Sequence, residues 1–136
     1  MFFVFRKNQI LLFLLLVILI AFSIFISTKA KDENIKISCD FLVSLGYTPE
    51  KKPFDEAEFT VPEGFGTVYE NYNTLQKEAG FDLTPYRNLK LKRYSFYLKD
   101  GENLIANILF HGNKICGGDI SNPSLSGFML PLTKKQ

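Results

Sequence analysis

Hydrophobic and polar positions divide this chain into one unbroken apolar block and a longer region of short alternating segments. From Ile10 to Ile26, ILLFLLLVILIAFSIFI, seventeen residues pass without a charge, and fifteen of them are Leu, Ile, Val or Phe. The uncharged stretch Asn8–Thr28 holds 21 residues. As a helix it would measure roughly 31 Å at about 1.5 Å per residue, the thickness of a bilayer's hydrocarbon core. On an insertion scale its apolar side chains favour the membrane by roughly 5 to 9 kcal/mol. A core helix this long would carry a polar stripe, and none is present. The block predicts a transmembrane helix.

Residues 29–33 read as a polar linker. Ile35, Cys39, Leu42 and Leu45 then recur at helical spacing, and Gly46 supplies a stop, which predicts a helix over Asn34–Leu45. Pro49 and Pro53 mark an extended connection. Glu56–Val61 alternates polar and apolar residues, as a half-buried strand does. A second helix is expected over Phe65–Ala79, with Phe65, Val68, Tyr69, Tyr72, Leu75 and Ala79 as its apolar face and Gly80 as its stop. Phe81–Asn88 should be an ordered loop. Three strands follow over Lys90–Leu98, Asn103–Phe110 and Lys114–Ile120, with turns at Asp100-Gly101 and His111-Gly112-Asn113. Gly117-Gly118 suggests a bulge or a close approach by another segment. Ser121–Leu132 reads as an irregular tail docked by Phe128, Met129 and Leu130. The expected fold class is α+β: a transmembrane helix, then one small α-β-α-β-β-β domain whose helices pack on one face of an antiparallel sheet. The expected domains are 1–28 for tail and anchor, 29–33 for the linker, and 34–136 for the folded domain.

The flanks of the apolar block bear on its fate. Arg6 and Lys7 resemble a signal peptide's charged start, and Thr28-Lys29-Ala30 is a poor cleavage match. The apolar run exceeds the usual length of a signal's core, so a retained signal-anchor is expected, with secretion after cleavage as the alternative. Lys29 and Lys31 nearly balance Arg6 and Lys7. The short N-terminal tail favours an N-terminus inside and a domain outside the cytoplasm, at the cell membrane.

Charge changes the picture in one respect. The net charge of +2 comes from Arg6 and Lys7, and from Lys29 onward 14 basic and 14 acidic residues cancel. That balance argues against nucleic-acid binding. Residues 50–82 hold eight acids and three lysines, while 87–114 hold six bases and two acids. These stretches are expected to fold against each other. A sharper alternative is a basic face of Arg87, Lys90, Lys92, Arg93 and Lys99 that meets anionic lipid or wall polymer. Cys39 and Cys116 allow one disulfide at most, and two buried free thiols are the expectation.

Catalytic chemistry finds little to build on. His111 falls at an exposed turn, and no Ser or Cys has an evident base partner. Neither CxxC nor HExxH appears, so no metal or cofactor is expected. Gly64-Phe65-Gly66 follows a strand and opens a helix, but Tyr69 stands where a dinucleotide loop needs its third glycine. Asp119 after two glycines reads as a cap or a solvated carboxylate before it reads as a cation or amine site.

Pro62-Glu63, VYENYNTLQKEAGFDLTPY (Val68–Tyr86), LKRY (Leu91–Tyr94), GGDIS (Gly117–Ser121) and GFM (Gly127–Met129) together resemble a bacterial family known only as a domain of unknown function, number four-eight-three-zero. The resemblance covers roughly Phe41 to Leu132. It implies short, often single-pass membrane-anchored proteins of Gram-positive bacteria, and it carries no activity. The family's Asp-Gly-Lys turn reads His111-Gly112-Asn113-Lys114 here. If the shared blocks act together, Tyr69, Tyr72 and Leu75 pack on the sheet, and Asn73 and Gln76 bond the Gly80–Leu83 loop. Arg93 then pairs with Asp82 or Asp119, and Tyr86 completes the set. The functional expectation is a non-enzymatic domain that binds a protein or peptide at the cell envelope. The alternative is an inhibitor or regulator of an envelope protease.

Overall fold

The computed structural model describes residues 6–124 and 126–136; most of the expected N-terminal tail lies outside the described residues. The chain forms two compact units, one ending at Glu33 and one spanning Asn34–Gln136. Helix α1 covers Lys7–Ser44, so residues 29–33, expected as a linker, are helical. Lys29-Ala30-Lys31-Asp32-Glu33 contains no Gly or Pro and several strong helix formers, which explains the difference. In the first unit the apolar side chains are exposed on every side, from 46 % at Val17 to 68 % at Leu11. Length and composition fit a membrane-crossing helix. The Thr28 hydroxyl donates to the carbonyls of Ile24 and Phe25, so even this polar group is satisfied within the helix.

The second unit is built on a five-stranded antiparallel sheet in simple sequential order. Its strands are β1 (Asp55–Thr60), β2 (Lys90–Tyr97), β3 (Ile105–His111), β4 (Lys114–Ser121) and β5 (Met129–Pro131). Helix α2 (Thr67–Glu78) and a single 3-10 turn (Thr84–Tyr86) connect β1 to β2. The α+β class and the antiparallel sheet agree with the pattern of the sequence. The final tail adds a strand: Met129, Leu130 and Pro131 pair with Ser121, Ile120 and Asp119.

One expected detail is corrected. The helices do not share a face. Tyr94, Phe96, Ala106, Ile108, Phe110 and Ile120 form a buried cluster with Leu42 and Leu132, against which Ile35, Cys39 and Leu45 of α1 pack. The alternate residues Leu91 and Leu109 join Val61, Leu83 and Cys116 in a second cluster under Tyr69 and Tyr72 of α2. Successive side chains of a strand point to opposite faces, so these clusters lie on opposite sides of the sheet. Central strands buried on both faces demand cover on both. The same division separates Cys39 from Cys116, and both are free. Cys116 is buried as expected, whereas Cys39 is only half-buried.

Both helices end as their glycines suggest. Gly46 and Gly80 have φ of +92° and +84°. The N–H of Tyr47 returns to Leu42 and that of Phe81 to Gln76, closing a Schellman motif at each end. The Gly112-Asn113 turn is also as expected, with His111 paired to Lys114. Asp100-Gly101 does not form a two-residue turn. The loop extends to Asn103, which takes the positive φ of 52°, and Leu98 N–H closes it on Leu104. Asp100 is diverted because its carboxylate, only 5 % exposed, accepts from Lys135 at 2.7 Å and from the Thr48 N–H at 2.6 Å. Burial alone would raise this carboxyl; the Lys135 ammonium and the Thr48 N–H outweigh it and hold it below its ordinary value.

The tail is held by Leu132, which is 2 % exposed, and not by the expected Phe128, Met129 and Leu130, which are 46 %, 51 % and 47 % exposed. Replacing Leu132 by Ala should therefore cost about 2–4 kcal/mol, and replacing Leu130 by Ala under about 1 kcal/mol. Thermal melting of the chain in detergent, followed by the sheet's circular dichroism, checks the contrast. Equal losses would contradict the assignment.

Candidate functional site

The site is the joint between α2 and the second face of the sheet. Helix α2 starts at Gly66, whose extended backbone caps the helix without a side-chain bond. Its buried line is polar. Asn73 is 5 % and Gln76 0 % exposed, whereas Val68, expected on the apolar face, is 80 % exposed. Tyr69 and Tyr72 are half-buried on the sheet, as expected.

Each buried amide does a separate job. The Asn73 carbonyl oxygen accepts from the Leu83 N–H at 2.7 Å, and its amide donates to Asp82 Oδ1 at 2.9 Å and to Thr84 Oγ1 at 3.3 Å. Asp82 Oδ1 also accepts from the Thr84 N–H, which shapes the entry to the 3-10 turn. Gln76, expected on the same loop, instead reaches the sheet: its Oε1 accepts from the Gly118 N–H at 2.7 Å. This contact explains the first of the two glycines, and the sheet itself explains the second. A Cβ at Gly117 would stand 2.7 Å from Gln76 Oε1, and one at Gly118 would stand 2.3 Å from the Asn107 carbonyl oxygen. The expected bulge is present as well, with Cys116 unpaired between Leu109–Gly117 and Phe110–Ile115.

A third set lies across the sheet. Tyr72 donates its hydroxyl to Asp119 Oδ2 at 2.8 Å, and the Asn107 amide donates to Asp119 Oδ1 at 2.9 Å. Ser95 donates to Asn107 Oδ1 at 2.6 Å, so β2, β3, β4 and α2 share one polar chain. Asp119 is 2 % exposed and is neither a solvated carboxylate nor a cap. Burial raises its carboxyl above the ordinary value, although Asn107, Tyr72 and the charge of Arg93 pull the other way. Burial and the Asp119 charge push the Tyr72 hydroxyl well above its usual range. Both groups are satisfied, and neither is poised as a nucleophile.

Two expected members make other direct contacts. Arg93 donates to Asp55 at 2.7 Å, and neither Asp82 nor Asp119 is its hydrogen-bond partner. Asp55 begins β1, which lies beside β2, so a short cross-strand reach captures the guanidinium. Lys92 and Lys99 similarly meet Glu58 and Glu50, which pairs the acidic and basic stretches. Tyr86 makes an edge contact with His111 at 5.5 Å. Sequence reading missed Asn107 and Ser95. Asn107 interrupts the apolar run Ile105–Phe110, and a polar residue inside a buried strand signals a partner.

Beside the joint lie two open hollows that share Tyr69, Tyr72 and Met129. One, about 310 Å³, reaches Phe59, Arg93 and Leu109. The other, about 340 Å³, runs along Val68, Asn71 and Leu75 and is almost wholly apolar. Among the described residues, no three His, Cys, Asp or Glu side chains cluster as metal ligands. Burial pushes the Cys116 thiol up to about 11, so it is protonated and inert at neutral pH.

A family model described as a domain of unknown function, DUF4830, matches residues 41–120, more than half of the chain, and the chain belongs to that family. Neither the curated proteins nor the solved structures contain a match.

The loop brace is open to a titration test. The Asn73 amide, then the Thr84 N–H and hydroxyl, hold the Asp82 carboxyl at about 2, against an ordinary 3.8. A depressed folded-state value stabilises the fold above the ordinary value, and this contribution is lost as pH falls toward 2. Replacing Asn73 by Ala should return Asp82 toward 3.8 in a carboxyl NMR titration. An unchanged titration would contradict the brace.

Proposed function

We propose that this member of the DUF4830 family is a single-pass membrane protein whose Asn34–Gln136 domain binds a protein or peptide at the cell envelope. The reading places the domain outside the cytoplasm and gives it no catalytic step. The observation that carries it is the apolar hollow along Val68, Leu75 and Met129. Val68 is 80 % and Met129 51 % exposed, so neither side chain is needed for the domain's own core. The wall behind them is rigid because Asn73, Gln76 and Tyr72 fix α2 to its loop and sheet.

The hollow suits a partner segment that inserts one aliphatic or aromatic side chain, with little demand for charge. Backbone pairing at the β5 edge is a minor contribution. The Asn122 N–H bonds Phe128, and by alternation Leu130 also faces β4, which leaves Met129 to present its backbone outward. Membrane tethering raises the local concentration of such a site, so a weak contact suffices.

A photo-crosslinking side chain placed at Val68 in living cells tests this reading. It should capture one defined envelope protein, and Met129→Glu should abolish that adduct while the sheet's circular dichroism stays intact. Absence of any specific adduct, or one indifferent to Met129→Glu, would overturn the assignment.

A further inference from the structure

A second surface lies at the end of the sheet where β2 begins and β3 turns into β4, where three exposed basic residues outside the ion pairs come together. Lys92, Arg93 and Lys99 are taken up by Glu58, Asp55 and Glu50. Arg87, Lys90 and Lys114 are exposed and enter none of the ion pairs among the described residues. All three sit at one tip. Lys114 pairs with His111 across the β3–β4 turn. Lys90 precedes Lys92, the partner of Phe110, by two residues. Arg87 follows Tyr86, whose ring touches His111, and its guanidinium lies 4.5 Å from the Phe65 ring centre. Leu89, between Arg87 and Lys90 in the sequence, is 38 % exposed. Glu58, the β1 acid opposite Lys92, is already paired with it.

The tip is also where the chain enters the domain. Asn34 donates its amide to the Gly112 carbonyl oxygen at 3.0 Å, in the turn between His111 and Lys114. Thr28, the last residue of the uncharged stretch, is six residues before Asn34. Six residues reach at most about 20 Å even when fully extended. Chain connectivity alone therefore keeps Asn34 within about 20 Å of the end of the uncharged stretch.

We infer that Arg87, Lys90 and Lys114, with Leu89 between them, form a lipid-contact surface that recognises the anionic headgroups of the bilayer crossed by Ile10–Ile26. The inference rests on the membrane-anchor reading and not on the protein-binding hollow. Lys and Arg supply attraction to anionic headgroups, which decays over about 8 Å at physiological salt, and the exposed Leu inserts at the acyl boundary.

The chain has no Trp, so Leu89→Trp creates a unique fluorophore. The full chain carrying it would be reconstituted in nanodiscs with and without phosphatidylglycerol, using lipids brominated near the headgroup. With phosphatidylglycerol, emission should fall by about twofold, and high salt should restore it. Replacing Arg87, Lys90 and Lys114 by Glu should restore it as well. Equal quenching in both lipids would overturn anionic recognition, and no quenching in either would overturn the contact. A Phe13→Trp chain in discs brominated deeper in the acyl chain separates the two readings. Quenching there with none at Leu89→Trp defeats the tip contact alone, whereas no quenching at Phe13→Trp defeats the anchor beneath it.

Discussion

Strands β2, β3 and β4 bury side chains on both faces, and the rest of the second unit follows from the need to cover them. One face takes the last turns of α1, where Ser38 and Leu42 are fully buried and Leu132 fills the gap below. The other face takes the first half of α2 and the loop residue Leu83. Removing either cover would expose aromatic and aliphatic surface worth about 25 cal/mol per Å². The C-terminal tail is part of this solution. Lys135 binds Asp100 through its side chain and Leu45 through its backbone N–H, tying α1's end, the β2–β3 loop and the tail together.

Apolar cover alone would leave α2 free to slide. Its position is specified by hydrogen bonds that tolerate little displacement: Gln76 on the Gly118 N–H, Tyr72 on Asp119, and Asn73 on the Leu83 N–H. Each involves a buried group whose loss of partner would cost about 1–3 kcal/mol. The glycines at 117 and 118 are the counterpart on the sheet, because any Cβ there collides with Gln76 or the Asn107 carbonyl. The block Val68–Tyr86 and the GGDIS block, far apart in the chain, are therefore two halves of one contact.

Much of this was legible from local chemistry. Gly46 and Gly80 stop helices because their positive φ is cheap for glycine. The alternation over residues 56–60 and 90–98 marks strands, and the double glycine marks a close approach. Tertiary demands override local signals elsewhere. Val68 sits at a helical core spacing, yet the close glycines of β4 turn the helix so that Asn73 and Gln76 face inward. Asp100-Gly101 has hairpin composition, but Lys135, 35 residues later, claims the carboxylate. Periodicity could not reveal that the helices take opposite faces, since a central strand buried on both sides has no polar face to betray the second cover.

Neutrality of the domain conceals an uneven use of charge. Asp55, Glu58 and Glu50 meet Arg93, Lys92 and Lys99 beside the β1–β2 ladder, which turns two segregated runs into neighbours. Most of these groups are exposed, so each pair contributes at most about 1 kcal/mol and sets register more than stability. Acidic side chains on β1 also guard that edge of the sheet against another strand. The opposite edge, β5, carries no charge and is instead three residues long, with Pro131 removing one donor. The two edges resist unwanted pairing by different means, and Met129 of the uncharged one lines the almost wholly apolar hollow along α2. In the proposed reading, that asymmetry would direct a partner's side chain toward Val68 and Met129 and away from Asp55–Thr60.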